Sequence, residues 1–340
     1  MGNGRIDVAP PGRVRRVLKR IFRAFLACVF LAVVVTVAAV LMFQSWKADI
    51  VNSRASDPDR RIINTELGEI EYADIGQGVP MLVLHGTPGG YDQGLMNVRA
   101  VPTSAATNIR TISVSRPGYR GTPLDSGRTF EDQSDLFAAM LDEIGVDRVV
   151  VLATSGGGYA GLQFAIRHPD RTIGLILSGA EVRSHEGGSF VPTTVPGPSR
   201  AQIFVVEIAM WAFGDSVIAS STMADFNPDD PEQASIWRYV LETAIPFGGG
   251  DPGRLNDIAQ RMNPAIDSWP LDQIRVPTLF LHGDADDDSS YDAARAASVR
   301  MSDAEFVTFE GGDHFVGITR RAEYSGHIER FIRYAIARNE

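Results

Sequence analysis

The chain has 340 residues, 44% of them apolar and 22% charged, enough to bury one large core with an inserted subdomain and too apolar for a disordered protein. Residues 1–43 hold seven Lys or Arg against one acid, Asp7, so that segment is +6; with a whole-chain charge of −10 the remainder carries −16, which argues against nucleic acid as a partner. The single cysteine, Cys28, leaves the rest of the chain without disulfides, a thiol nucleophile or a cysteine metal site.

Arg13, Arg15, Arg16, Lys19, Arg20 and Arg23 precede an uncharged apolar run from Ala24 to Phe43. At helical rise such a run spans about 30 Å, the hydrocarbon thickness of a bilayer. The basic flank predicts residues 1–23 on the cytoplasmic side and the chain after Gln44 on the other. A cleaved secretory signal is the rival reading, but its apolar region is typically only about 7–15 residues and ends in a small-x-small site. Here Ala38 and Ala39 lie inside the run and Gln44-Ser45-Trp46-Lys47 follows it, so an uncleaved anchor over 24–43 is expected. Residues 44–61 are polar, contain Pro58 and read as a linker.

Ile62 to Ile75 reads as a hairpin turning at Leu67-Gly68. Short apolar runs then predict strands at Met81–Leu84, Thr111–Ser115, Val149–Ala153, Ile173–Leu177, Thr278–Leu281 and Phe306–Phe309. Helical spacing fills Phe130–Ile144, Gly157–His168, Tyr291–Met301 and Ile318–Ala337. This alternation predicts an α/β fold: a mostly parallel sheet with helices on both faces, ligands binding at the carboxyl ends of the strands. Residues 181–270 break the rhythm, with no clear strand and with Trp211, Phe213, Phe226, Trp237, Tyr239, Phe247 and Trp269. A structureless loop of that length is improbable, so a helical cap is expected between core segments 62–180 and 271–340, its aromatic residues mainly its own core.

Chemistry concentrates at the strand ends. The run Val149-Val150-Val151-Leu152-Ala153-Thr154 stops at Ser155-Gly156-Gly157-Gly158, the pattern of a nucleophile elbow, which needs small residues two before and two after the serine. On its own the pattern also fits a structural turn or a phosphate-cradling loop. A serine nucleophile requires a base, an orienting acid and oxyanion donors. His314 follows the last strand in a glycine-containing loop, Asp286 follows the strand before it in His282-Gly283-Asp284-Ala285-Asp286, and His85-Gly86-Thr87-Pro88-Gly89-Gly90 follows the first central strand.

The order Ser, Asp, His with this HG-x-PG loop resembles the α/β-hydrolase superfamily over about residues 62–338. Ser115-Arg116-Pro117-Gly118-Tyr119-Arg120-Gly121 resembles the Arg-Pro-Gly-type loop of many members. The resemblance implies Ser155 as nucleophile, His314 as general base and then acid, Asp286 as the residue fixing the imidazole, and the peptide N–H groups of Thr87 and Gly156 as the oxyanion hole. Glu181 stands where some members place the acid and is the second choice. His85 and His282 stand where the superfamily uses histidine structurally. Ala153 departs from the glycine usual at its position. The aspartates from Asp284 begin like a calcium loop, but Ser289 and Arg295 stand where glycine and glutamate belong, so no metal is expected, and the mechanism needs no cofactor.

The function implied is a membrane-anchored serine hydrolase acting on a small-molecule carboxylic ester or related acyl compound, a lipophilic one being suited to an apolar cap and a membrane tether. A serine at 155 excludes the aspartate-nucleophile branches of the superfamily. The alternatives are a proline-iminopeptidase-like aminopeptidase, from whose HGGPG loop and Trp-bearing elbow Thr87 and Gly156 depart, a carbon–carbon bond hydrolase or cofactor-free peroxidase with a similar triad, and a non-catalytic binding protein of the same fold.

Overall fold

The computed structural model describes residues 11–99, 108–185, 200–223, 225–227, 229–246 and 252–339. The chain divides into two compact units, Met1–Asp49 and Ile50–Glu340. Helix α1, Pro11–Ala55, makes up the described part of the first and ends in the second. Its portion from Arg15 is long and apolar enough to cross a membrane, with a mean hydropathy of 3.0 over its most apolar window. Membrane anchors and signal sequences share that property. Phe22, Phe25, Phe30 and Leu41 of this stretch are exposed, whereas Phe43 at its end is buried. The expected linker 44–61 is helical as far as Ala55, because neither proline nor glycine interrupts it before Pro58; a turn and the start of the first strand take up the rest.

Eight strands form one sheet: β1 Arg60–Thr65, β2 Gly68–Gly76, β3 Val79–Leu84, β4 Ile109–Val114, β5 Val149–Thr154, β6 Thr172–Ser178, β7 Thr278–Gly283 and β8 Ala304–Phe309. Their order is β1-β2-β4-β3-β5-β6-β7-β8, antiparallel at β1–β2 and β2–β4 and parallel from there on. The period-two pleat sends Val149, Val151 and Ala153 into one buried cluster and Val150 and Leu152 into another, which is why β5 is apolar throughout.

Helices α2 Tyr91–Arg99, α3 Phe130–Glu143, α4 Gly158–Arg167, α5 Arg200–Thr222, α6 Pro231–Thr243, α7 Pro252–Gln260, α8 Tyr291–Val299, α9 Val316–Thr319 and α10 Arg321–Ala337 complete the chain. Helix α3 starts at a reciprocal cap in which the Thr129 hydroxyl accepts from Asp132 N and the Asp132 carboxylate accepts from Thr129 N. It buries Leu136, Phe137, Met140 and Leu141 against the sheet. Helix α10 covers the opposite face with Ile328, Phe331, Ile332 and Ala335. The C-terminal helix expected from Ile318 is in fact two, because Arg320 leaves helical geometry at φ −118, ψ 38.

Between β6 and β7 the described residues contain helices α5, α6 and α7 and no strand. Helix α5 is broken at Gly214, whose φ of 59 and ψ of −169 suit only glycine. Trp237 packs with Met223, Ile236 and Ile318 and meets Phe315 edge-on at 5.1 Å. Trp269 belongs to the main core against Phe130 and Tyr159. Phe213 is exposed, and Phe247 lies outside the described residues.

Candidate active site

Strand register brings the chemistry to one edge. Thr154 at the end of β5 pairs with Ser178 of β6, Ser178 with Leu281 of β7, and Gly283 with Phe309 of β8. Ser155, Gly179, Asp286 and His314 therefore leave neighbouring strands on the carboxyl side of the sheet. Ser155 turns there with φ 50, a left-handed conformation that among described non-glycine residues only Arg120 shares. Holding it costs on the order of 1–3 kcal/mol, which the close packing around the turn sustains. A Cβ on Gly157 would stand 2.6 Å from Leu84 O, and one on Gly158 2.5 Å from Glu181 O, so no larger residue fits either position. A Cβ on Gly86 would stand 3.0 Å from Ser155 Cβ, which puts the loop after β3 directly over the serine.

The loops after β7 and β8 touch through glycine: a Cβ on Gly283 would lie 2.0 Å from Gly312 O. Ala285 N donates to Gly312 O at 3.0 Å and Gly311 N to Asp284 Oδ1 at 2.6 Å. This contact sets His314 Nδ1 2.9 Å from Asp286 Oδ2. The same oxygen lies 3.2 Å from His282 Nε2, while Oδ1 accepts from Asp288 N at 2.9 Å and Ser289 N at 2.8 Å. The Asp286 side chain is fully buried. Burial alone would raise its pKa, but the hydrogen bonds from His282, His314 and Ser289 outweigh it and hold the carboxyl below its usual range. Burial likewise works to lower His314, and the hydrogen bond and charge of Asp286 overcome it, so the imidazole is raised. With Nδ1 committed to Asp286, Nε2 is the ring nitrogen free to exchange a proton. Glu181 is not the partner of this histidine. Its carboxylate pairs with Arg261 at 3.2 Å and His185 at 3.3 Å, and its backbone N–H donates to Ser155 O at 3.0 Å.

Thr87 and Gly156 are neighbours: a Cβ on Gly156 would stand 2.5 Å from Thr87 Oγ1. Among the described loop and turn hydrogen bonds, none uses the N–H of Thr87 or Gly156. His85 is fully buried and accepts from Arg116 N at Nε2, 2.9 Å, so its Nδ1 carries the proton and donates to Gly86 O at 2.6 Å. Burial, reinforced by the Arg116 charge, keeps this ring neutral. It ties the loop after β3 to the loop after β4 and packs edge-on against Tyr119 at 4.8 Å.

Three residues here were not singled out from sequence. Gly179, at φ +48, leaves room for the His314–Asp286 pair: a Cβ there would come within 3.3 Å of the His314 ring and 3.4 Å of Asp286 Oδ2. Asp257 of α7 makes a bidentate pair with Arg116, at 2.6 and 3.0 Å, and accepts from Tyr119 OH at 2.6 Å and Thr87 Oγ1 at 2.7 Å. Tyr119 is the third. The Arg-Pro-Gly motif marked the loop, but no local pattern links it to an aspartate 141 positions away.

The sequence model of the alpha/beta hydrolase family matches residues 81–325, and the chain belongs to this family. It is 33% identical over 229 residues to a 2-hydroxy-6-oxononadienedioate/2-hydroxy-6-oxononatrienedioate hydrolase 1 of Dechloromonas aromatica, covering 62% of this chain and 76% of that protein. It is 27% identical over 278 residues to a pimeloyl-(acyl-carrier protein) methyl ester esterase of Aromatoleum aromaticum, covering 74% and 98%. Among solved structures, an alpha/beta hydrolase fold protein from Nakamurella multipartita superposes with a TM-score of 0.65 at 31% identity, over 81% of this chain and 97% of that one. These two relatives are named as a hydrolase and an esterase, and the chain is a hydrolytic enzyme of the alpha/beta hydrolase family.

Proposed function

We propose that this enzyme is a serine hydrolase that cleaves a carboxylic ester or related acyl compound through an acyl-enzyme, tethered to a membrane by residues 24–43. One observation carries the reading: Ser155 sits in a left-handed turn at the end of β5, at the same sheet edge as a buried His314–Asp286 pair. A neutral hydroxyl is a weak nucleophile, and activation by an oriented imidazole is what such a pair supplies.

In this scheme Ser155 Oγ attacks the ester carbonyl while His314 Nε2 takes its proton. Asp286 holds Nδ1–H and stabilises the imidazolium without becoming protonated itself. The carbonyl oxygen becomes an oxyanion held by Thr87 N–H and Gly156 N–H. Collapse breaks the C–O bond, His314 returns the proton to the departing alkoxide, and the acyl group stays on Ser155. Water, deprotonated by His314, then attacks the acyl carbonyl; collapse breaks the bond to Ser155 Oγ, which takes the proton back from His314 as the acid leaves. An ester is favoured as substrate by the esterase relative, and a lipophilic one by the tether and the apolar cap. The Thr87 and Gly156 positions depart from the proline-iminopeptidase pattern.

The test is labelling with a fluorophosphonate probe followed by mass mapping. Label on Ser155, absent from Ser155→Ala and His314→Ala, is the expected result. Hydrolysis of p-nitrophenyl esters that survives Ser155→Ala contradicts the proposal, and preference for prolyl amides over esters replaces its substrate class.

A further inference from the structure

The cap and the oxyanion loop share one buried polar network. Arg116 is fully buried, and every described contact of its guanidinium is to this seam: Nη1 and Nη2 to Asp257, Nη2 to Thr87 Oγ1 at 3.1 Å, Nε to His85 O at 3.0 Å. Thr87 Oγ1 in turn donates to Asp257 Oδ2 at 2.7 Å and accepts from Arg116 Nη2, with the Tyr119 hydroxyl, whose proton goes to Asp257 at 2.6 Å, standing beside it at 3.3 Å. The one proton of the threonine hydroxyl is thus committed to Asp257, and the donor that Thr87 can offer a ligand is its peptide N–H. On the core side the loop after β4 is held by Glu71, which accepts from Gly121 N at 3.0 Å and Ser115 Oγ at 2.7 Å. On the cap side helix α7 approaches until backbone meets backbone: Gly253 N donates to Gly118 O at 2.9 Å, and a Cβ on Gly118 would lie 2.4 Å from Gly253 N. Arg120 of the same loop donates to Thr243 O at the end of α6.

We infer that Asp257 is a positioning residue for catalysis: from the cap it fixes the Thr87 side chain, and through it the direction of the Thr87 N–H, so that the oxyanion hole is complete only while α7 is docked. The inference rests on the reading of Ser155 as nucleophile. A carboxylate suits this task because it accepts at once from Arg116, Tyr119 and Thr87, and the charge it neutralises is otherwise stranded in the core. Neither residue touches substrate through these atoms; the effect passes through the backbone of Thr87.

The experiment compares Asp257→Asn, Thr87→Val and Thr87→Ser with wild type on a p-nitrophenyl ester, with Ser155→Ala as reference. Removing an oxyanion donor outright costs about 10²–10³ in turnover, so a donor left in place but released should cost about 10-fold to 10²-fold. Expected are that loss in kcat for Asp257→Asn and Thr87→Val with KM within about twofold, restoration by Thr87→Ser, and a matching loss of affinity for a trifluoromethyl ketone, whose adduct with serine carries the oxyanion. A purely structural role would lower folded yield or stability, in Thr87→Val as well because valine strands the partners of the hydroxyl, but would leave kcat and trifluoromethyl ketone affinity of the folded protein unchanged. If Asp257→Asn fails to fold, the Val/Ser comparison decides, since it leaves the Arg116–Asp257 pair intact. Wild-type kcat in Thr87→Val overturns the inference. Activity persisting in Ser155→Ala overturns the nucleophile reading, whatever the other variants do.

Discussion

The methyl group of Ala153 faces Gly161: a Cβ added to that glycine would stand 2.7 Å from it. The glycine missing from the strand side of the elbow is therefore supplied by the facing side of α4, and helix and strand still approach closely. Gly161→Ala is expected to overpack this contact and cost about 1–3 kcal/mol in a denaturant titration. Adding Ala153→Gly should recover most of the loss, a coupling that two independent sites would not display.

The proposed acid–base pair predicts the pH response. Because His314 is raised above 6.5 and in the proposed mechanism must be neutral to accept the serine proton, kcat/KM for an ester should rise with pH through an apparent pKa above 6.5 and then level off. Its effect on stability has the opposite sense: the raised pKa stabilises the fold fully below the unfolded value and that contribution fades as pH climbs through the folded one. Asp286→Asn removes the main partner that raises it, so the acid limb should move down in pH while kcat drops by about 10³–10⁴. A limb that stays where it was in this variant contradicts the assignment.

His282 steadies the acid from the side away from catalysis. It lies 3.1 Å from Ser289 O and 3.2 Å from Asp286 Oδ2, and it is buried. His282→Phe leaves buried acceptors unpaired, at a cost of about 1–3 kcal/mol. Asp286 is held below 3.8, so its contribution is present above the unfolded pKa and disappears as pH falls through the folded one. With less of that depression, the variant should unfold in acid at a higher pH than wild type. Coincident acid transitions followed by tryptophan fluorescence would show that His282 does not hold the carboxylate.

The proposed tether makes a prediction of its own. The full-length chain should stay in the membrane pellet through an alkaline carbonate wash. Replacing Leu31 and Val35 with arginine puts two charges near the centre of the apolar run, each costing about 2.5–3.5 kcal/mol on insertion scales, and should release the protein. Mature chains lacking residues 1–43 by mass spectrometry would make the segment a signal peptide instead.

What the sequence reveals here is what local chemistry dictates. Strands β3 to β8 announce themselves as short apolar runs, and the elbow as a run that ends in glycines. Helix α2 is not legible, because it is short and carries Gly94 in its middle, where a propensity argument sees a break. The pairing of His314 with Asp286 and not Glu181 depends on Gly283 meeting Gly312, a contact between two loops. Asp257 is less legible still: a lone aspartate in a helical insertion looks like solvated surface until the fold carries it to Arg116.

The cap is inserted between β6 and β7, so Ser178 and Leu281, bonded neighbours in the sheet, are separated by about a hundred residues of chain, a loop whose closure entropy must be met before that pairing forms. The serine and the oxyanion loop lie before that insertion, and Asp286 and His314 after it. During refolding, the half that holds Ser155 has its own local strand and helix contacts to gather around, whereas His314 arrives only with the most non-local pairing of the sheet. Turnover should consequently lag behind recovery of helical signal, and a chain caught at that stage would hold Ser155 in a folded scaffold without the proposed base, inert until the last strands close.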